Sequence, residues 1–327
     1  MLHIHCGDSS ANTLRKSSVP GEVLVWHDPV SDGPTPAGLS VDAWLDLRAE
    51  FTATWAGRLT AAGIRATLAG ELAALEGSKT QDEVVLWFDA CLFDQSILIR
   101  LLKWYALNGT PAVLSLIDVG EFPGKPRFKG LGELNAAEMA SLFPQRQPVT
   151  PEILALARRA WAAYCAPEPT GLPGLLAEDT HLLPHLHDAL LRHLEQLPGR
   201  DGLERLEREA LQAVAKVPLT LWPLFMAVDA QETRPYFGDT MLWATVERLA
   251  DLGLLAVTGP GHLPRFDDPQ PADINAWTVA STDLGRAVLA GTRDAATLRP
   301  YDRWVGGTHL TPATLWRWDG ELIAPGD

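Results

Sequence analysis

Cysteine is scarce and scattered: Cys6, Cys91 and Cys165 are the only three in 327 residues. An odd count with no C-x-x-C pair excludes a disulfide framework and a cysteine zinc site, so reduced thiols in the cytoplasm are expected. Basic side chains are in deficit too, with 27 Lys and Arg against 41 Asp and Glu and a formal net charge of -14. A surface of that sign repels phosphate backbones, so nucleic acid is not the expected partner. Long apolar runs are missing. The opening Met1-Leu2-His3-Ile4-His5 goes straight into a strand pattern, without the basic region and apolar stretch of a signal peptide, and no membrane span follows. The expectation is a cytoplasmic protein with no membrane partner.

Several catalytic signatures are also absent. There is no G-x-G-x-x-G, no Gly-Lys-Ser/Thr loop, no G-x-S-x-G elbow and no H-E-x-x-H. Nucleotide binding by either standard loop, the nucleophile elbow and the helical zinc protease site are thereby set aside.

What is present is a chain that buries real cores, 46% apolar and 21% charged, and long enough for two or three domains at about 100–200 residues each. Apolar runs at 2–6, 22–26, 83–88 and 112–117 alternate with helical patterns, such as Trp44, Leu47, Phe51 and Trp55, then Leu98, Leu101, Leu102 and Tyr105. Strands apolar throughout and separated by helices predict an α/β domain over 1–145. Its parallel sheet is flanked by helices, Rossmann-like, with four or so strands. Thr150-Pro151-Glu152 starts a helical segment expected over 146–200, with Pro at the first helical position.

From 201 to 327 the pattern changes. Helices at 203–214, 221–231 and 240–252, strands at 254–257 and 277–279 and a closing helix at 282–289 predict a winged-helix-like α+β module with a tail. A short hairpin is expected in that tail, at WRWDGELI. The third helix would be the DNA reader, yet Arg248 is its only basic residue against Asp239, Glu247 and Asp251. The region as a whole carries eighteen acidic and eleven basic residues. A dimerisation or packing unit, including a homodimer, is therefore preferred to a DNA reader. A basic stripe from Arg265, Arg286 and Arg293 would favour the reverse.

The expected site lies where the strands end. Asp8 with Ser9, Asp28, Asp89 and Asp118 each follow a strand, and open parallel sheets bind ligands outside the carboxyl ends of their strands. Gly7-Asp8-Ser9-Ser10 presents backbone N–H groups to an anion at a helix start, or Asp8 or Ser9 simply caps that helix. Asp28 and Asp32, with Gly33 and Pro34, form a turn, supply a base of raised pKa beside Asp8, or hold Mg²⁺ as a carboxylate group. Asp94 and Gln95 come from the next helix. Arg48 clamps an anion or pairs with Glu50 or Asp46, the pairing being preferred. His181, His185, His187 and His193 do not make a zinc site on this reading, because Pro184 breaks the helix they would share. Cys6 and the tryptophans read as core.

Three phrases, LHIHCGDSSANTLRKSSVPGEVLVWHDPVSDGP, EVVLWFDACLFDQ and DRWVGGTHL with WRWD after it, together resemble the domain of unknown function 1835 family of bacterial proteins in its long form. The resemblance covers most of the chain and implies no established activity. It puts weight on Gly7-Asp8-Ser9, Asp28, Gly33-Pro34, Asp94-Gln95, Gly130-Leu131-Gly132 and Gly306-Gly307 with His309, and so implies that the tail covers the strand ends. His5 departs from the family pattern at the first strand.

These readings lead to one expectation. A small polar or phosphorylated ligand binds at the strand ends of the α/β domain, with Asp8, Ser9, Asp28 and Asp94 central and Gly7, Asp32, Gly33, Arg48, Gln95 and His309 around it. Hydrolase or transferase chemistry is compatible with that set, and no cofactor is named by it. The alternative is a ligand-sensing regulator whose winged helix contacts nucleic acid or a protein.

Overall fold

Runs of β-branched and aromatic residues, apolar on both faces, form the centre of a sheet covered by helices. The computed structural model describes residues 1–327 except 267, 270, 299 and 327, and the chain divides into two units. The first comprises Met1–Ala53, Thr60–Arg192 and Gly306–Thr308; the second comprises Thr54–Leu59, His193–Val305 and His309–Asp327. Of the helical segment expected over 146–200, residues up to Arg192 belong with the first unit and the rest with the second.

The first unit runs β1 (Leu2–Cys6), α1 (Asp8–Arg15), β2 (Glu22–Trp26), β3 (Gly33–Pro34), α2 (Val41–Ala53), α3 (Ala61–Ser78), β4 (Glu83–Asp89) and α4 (Leu92–Asn108). Then come β5 (Val113–Val119), α5 (Ala136–Leu142), β6 (Gln147–Pro148), α6 (Pro151–Tyr164), α7 (Gly171–Ala177) and the start of α8 (Leu186–Leu194). The main sheet has the order β2-β1-β4-β5-β6. Its first four strands are parallel and β6 is antiparallel to β5. Ile4 faces Leu24 on one side and Leu86 on the other. Val84, Val85, Leu86, Trp87 and Phe88 are all fully buried, each worth roughly 1.5–3 kcal/mol for the larger aliphatic and aromatic side chains. Charge in the middle of this strand would not be tolerated.

Between β1 and β4 the strand order reverses, so the connections leaving these two strands run in opposite directions, the place where open parallel sheets bind ligands. α6 packs on α4 and so belongs to the layer over this sheet. It starts as expected, with Thr150 Oγ1 accepting from Ile153 N–H at 3.4 Å and Pro151 at its first position.

The second unit contains α9 (Arg205–Ala213), β7 (Leu219–Thr220), α10 (Leu221–Asp229), α11 (Asp239–Asp251), β8 (Leu255–Thr258), β9 (Thr278–Ser281) and α12 (Asp283–Leu289). β9 lies between β7 and β8, antiparallel to both. Leu206, Leu211, Leu224, Trp243, Val246 and Val279 are among the side chains of its own buried core. Thr282 caps α12 by accepting from Gly285 N–H at 3.0 Å. β10 (Arg303–Gly306), β11 (Thr308–Leu310), β12 (Arg317–Trp318) and β13 (Leu322–Ile323) complete the chain, the last two pairing as the expected hairpin. Among the described residues no helix is long and apolar enough to cross a membrane.

Candidate functional site

The first helix begins earlier than its capping signals suggest. Its N-cap is Gly7, at φ 77°, with no side-chain capping bond, and Asp8 is already the first helical residue. The expectation that Asp8 or Ser9 caps α1 is thereby corrected. A residue in the left-handed region is most easily glycine, and placing it there turns Asp8 outward across the end of β1. Asp8 Oδ2 lies 3.4 Å from His27 Nε2, just beyond the end of β2. On its other side the His27 ring meets a buried carboxylate: Nδ1 is 2.6 Å from Glu71 Oε1, and the His27 backbone N–H donates to Glu71 Oε2 at 3.2 Å. Glu71 reaches this position because it lies on the buried stripe of α3 with Leu68, Leu75 and Ser78. With Glu71 taking the Nδ1 proton, Nε2 is the nitrogen that faces outward. The Glu71 hydrogen bond raises the His27 pKa above that of a free imidazole, against partial burial, and Asp8 adds to the rise.

Asp28 goes the other way. It is buried with only 1% exposure, and Arg48 Nε donates to its Oδ1 at 2.8 Å. Its Oδ2 accepts from Trp44 Nε1 at 3.2 Å and from Arg100 Nη1. The remaining Arg48 donors hold the following loop, reaching Asp32 O at 2.8 Å, Pro34 O at 3.2 Å and Pro29 O at 3.0 Å. Arg100 sits against the faces of Trp26 and Trp44. Burial pushes the Asp28 carboxyl up, but the two guanidiniums more than offset that and hold it below the usual carboxylate range. Two expectations change here. Arg48 pairs with Asp28, not with Glu50 or Asp46, Asp46 being taken by Arg65. Asp8, Asp28 and Asp32 do not converge as a base or a Mg²⁺ group, because Asp28 is enclosed by guanidiniums and Asp32 Oδ1 accepts from its neighbour Gly33 N–H.

The third constellation stands at the reversal point itself. Asp94 Oδ2 accepts from Asp89 N–H at 2.7 Å, and Cys91 Sγ accepts from Asp94 N–H at 3.4 Å as the cap of α4. Asp89 accepts from Cys91 N–H at 3.1 Å and from Leu131 N–H at 3.2 Å. The Gly130-Leu131-Gly132 loop is thus tied to the end of β4. A Cβ at Gly130 would stand 2.2 Å from Asp89 Oδ2, while one at Gly132 would stand 3.5 Å from Ser9 Oγ. Gln95 is fully buried, and its amide donates to Asp89 O at 2.7 Å and to Asp118 Oδ1 at 2.8 Å. Two buried acceptors remain without a hydrogen-bond partner among the described residues, Gln95 Oε1 and Asp118 Oδ2. Beside Asp118 a recess is lined by Val119, Gly120, Phe122 and Leu142.

Burial drives the Asp118 carboxyl up to about 7, against its bond to Gln95 and helped by the charge of Asp89. Burial and the same charge push Asp94 well above the usual range. Cys6 and Cys91 are raised as well, by burial first and then by the neighbouring aspartates. Neither thiol is therefore an activated nucleophile. Asp89, Cys91 and Asp94 each bring one donor atom within 4.8 Å of the others, a metal-like grouping that the capping bonds above already account for.

The remaining expected residues have local partners. Gly33 has φ 73°, and a Cβ there would collide with the Phe51 ring. Thr35 N–H donates to Gly306 O and Gly307 N–H to Tyr164 O, at 2.8 and 2.9 Å, so this short piece of the tail belongs to the first unit. His309 lies in the second unit, stacked on Trp304 at 4.4 Å and bonded to Asp302 at 2.7 Å. His181 and His187 pair with Asp179 and Asp188. Sequence reasoning missed His27 and Glu71. The signal was there: a glutamate on an otherwise apolar helical stripe needs a buried partner. No family model matches this chain, and no curated protein is significantly similar to it.

Proposed function

We propose that the first unit binds a small polar ligand at the carboxyl ends of β1, β2, β4 and β5, and that the site serves a hydrolase or transferase reaction. The observation that carries this reading is the pair of buried acceptors, Gln95 Oε1 and Asp118 Oδ2, that have no partner among the described residues at the carboxyl ends of β4 and β5, beside the strand-order reversal. Leaving a buried polar atom unpaired costs about 1–3 kcal/mol, a cost that a bound donor removes. Gln95 Oε1 accepts, and Asp118 Oδ2 accepts once ionised, so above about pH 7 the ligand bears hydroxyl, amine or amide groups facing Asp118, and a bare phosphate suits this end of the site poorly. Membership of the domain of unknown function 1835 family is part of the proposal. It is supported by the way Gly7-Asp8-Ser9, Asp94-Gln95 and Gly130-Leu131-Gly132 meet at one end of one sheet.

The test is thermal unfolding of the full chain with a panel of polyols, nucleosides, polyamines and sugar phosphates. A ligand at a hundred times its dissociation constant stabilises by about 2.7 kcal/mol. The expected result is a shift for a donor-bearing, phosphate-free compound that disappears in Asp118→Asn. A panel with no shift, or one that survives in Asp118→Asn, rejects the reading.

A second reading concerns the other unit. Three helices, a pair of antiparallel strands and a closing helix support a winged-helix-like module. Its exposed apolar side chains, Val217, Trp222 and Met226, favour a protein partner, another copy included. Arg286 and Arg265 are paired with Asp283 and Glu247, which argues against a basic stripe for nucleic acid.

A further inference from the structure

We propose that His27 is the proton-accepting catalytic residue of the strand-end site and that Glu71 positions it. This rests on the functional reading above and adds a residue that the strand-end aspartates do not supply. The geometry is specific. Glu71 is 5% exposed and spends both carboxylate oxygens on one residue, holding the His27 ring at 2.6 Å and its backbone N–H at 3.2 Å. That double grip fixes the tautomer and the ring plane, the task a buried carboxylate performs for any catalytic imidazole. The ring is not itself buried, since the His27 side chain is 42% exposed. Its outward nitrogen faces the end of β1, and its neighbour there is the 68% exposed Asp8 side chain at 3.4 Å. A contact that long to an exposed carboxylate is readily displaced by the oxygen of a ligand or of water.

In the reaction, a hydroxyl oxygen resting against Nε2 attacks the electrophilic carbon of an acyl group while its proton passes to Nε2. A new O–C bond forms, the bond to the leaving oxygen breaks, and the leaving group departs with that electron pair. The imidazolium, stabilised by Glu71 on one side and Asp8 on the other, then returns its proton to the leaving oxygen or to solvent. Water as the hydroxyl gives hydrolysis, and a ligand hydroxyl gives transfer.

The experiment uses the full chain with p-nitrophenyl acetate as acyl probe, from about pH 5 to about pH 9, across the range in which imidazole titrates. Wild type is compared with His27→Gln, Glu71→Gln and Asp8→Asn, and histidine C2 protons are followed by NMR in the same samples. The expected result is a rate about a hundredfold above that of His27→Gln, rising with pH at the midpoint of the His27 resonance. Glu71→Gln lowers both midpoints together. Asp8→Asn, at an exposed position where folding is not at stake, lowers both by a smaller step. Equal rates in wild type and His27→Gln overturn the proposal, as does a rate midpoint that stays put when the resonance moves. A thermal shift retained in His27→Gln while the rate argument fails would sink the base and leave the binding reading standing.

Discussion

Asp28, fully buried just past the end of β2, and Asp118, half-buried at the penultimate position of β5 with its Oδ2 atom buried, stand at the same end of one sheet and are treated in opposite ways. Asp28 receives two guanidiniums and an indole N–H, with no oxygen unpaired. Asp118 receives one amide N–H, and its second oxygen has no partner among the described residues. The first arrangement is complete without a ligand, so it belongs to folding: through Arg48 it fixes the loop from Pro29 to Pro34. The second is incomplete, and an open acceptor beside a strand end costs the fold what a bound donor would return. Position at a strand end therefore nominates a residue, and the state of its partners decides its role.

The largest effect is expected at Asp28. Asp28→Ala leaves Arg48, which has no exposure, as an uncompensated buried charge, with an expected loss of about 3–5 kcal/mol. A urea midpoint showing less than about 1 kcal/mol would mean the network is dispensable. Gly130→Ala tests the other end. At φ 119° with a Cβ falling on Asp89 Oδ2, it should cost about 1–3 kcal/mol and release the loop, read as faster amide exchange at Leu131. Asp118→Asn should stabilise at alkaline pH by more than about 1 kcal/mol while abolishing ligand shifts. A destabilised variant would show that Asp118 is structural after all.

The pH dependences sharpen the contrast, because their signs differ. Asp28 is depressed in the folded protein, so its contribution is present above the unfolded value of about 3.9 and is lost as pH falls through the folded one. Asp118 is raised to about 7; the folded state then holds a proton the unfolded state lacks, and stability falls as pH climbs from about 4 toward about 7. The smallest effect belongs to His27. Its raised folded pKa adds stability below the unfolded value, lost as pH rises through the folded one, and solvent exposure limits this to under about 1 kcal/mol. Unfolding of His27→Gln at about pH 5.5 and about pH 8.5, either side of the unperturbed imidazole value, checks it; an equal deficit at both would remove the linkage.

Much of the first unit was legible because its strands are apolar runs closed by polar turns, and the ends at Cys6, Trp26 and Asp89 fall where those runs stop. β3 and β6 were not, since two residues leave no pattern. Within the site, Asp94 and Gln95 could be picked out because they follow a strand directly. The partners could not, because they arrive from afar: Glu71 is 44 residues from His27, and Arg100 is 72 from Asp28. Buried helical stripes carry the missing signal. Arg48 sits with Leu45, Ala49 and Thr52 on the buried face of α2, where a charge without a partner would be too costly to keep. His309 shows the opposite hazard, a residue next to a glycine pair that serves the first unit while its own contacts lie in the second.

The two-residue strand β6 has a meaning beyond the sheet it closes. It pairs antiparallel to β5 through Gln147 and Pro148, both exposed. Proline offers no N–H to a further strand, and a partner two residues long gives a newcomer almost nothing to follow. An apolar parallel sheet with an open flank is a template for intermolecular strand addition, and this flank is blunted. The consequence concerns solubility during synthesis and storage: replacing Pro148 would leave the native fold nearly as stable and make crowded chains stick to one another.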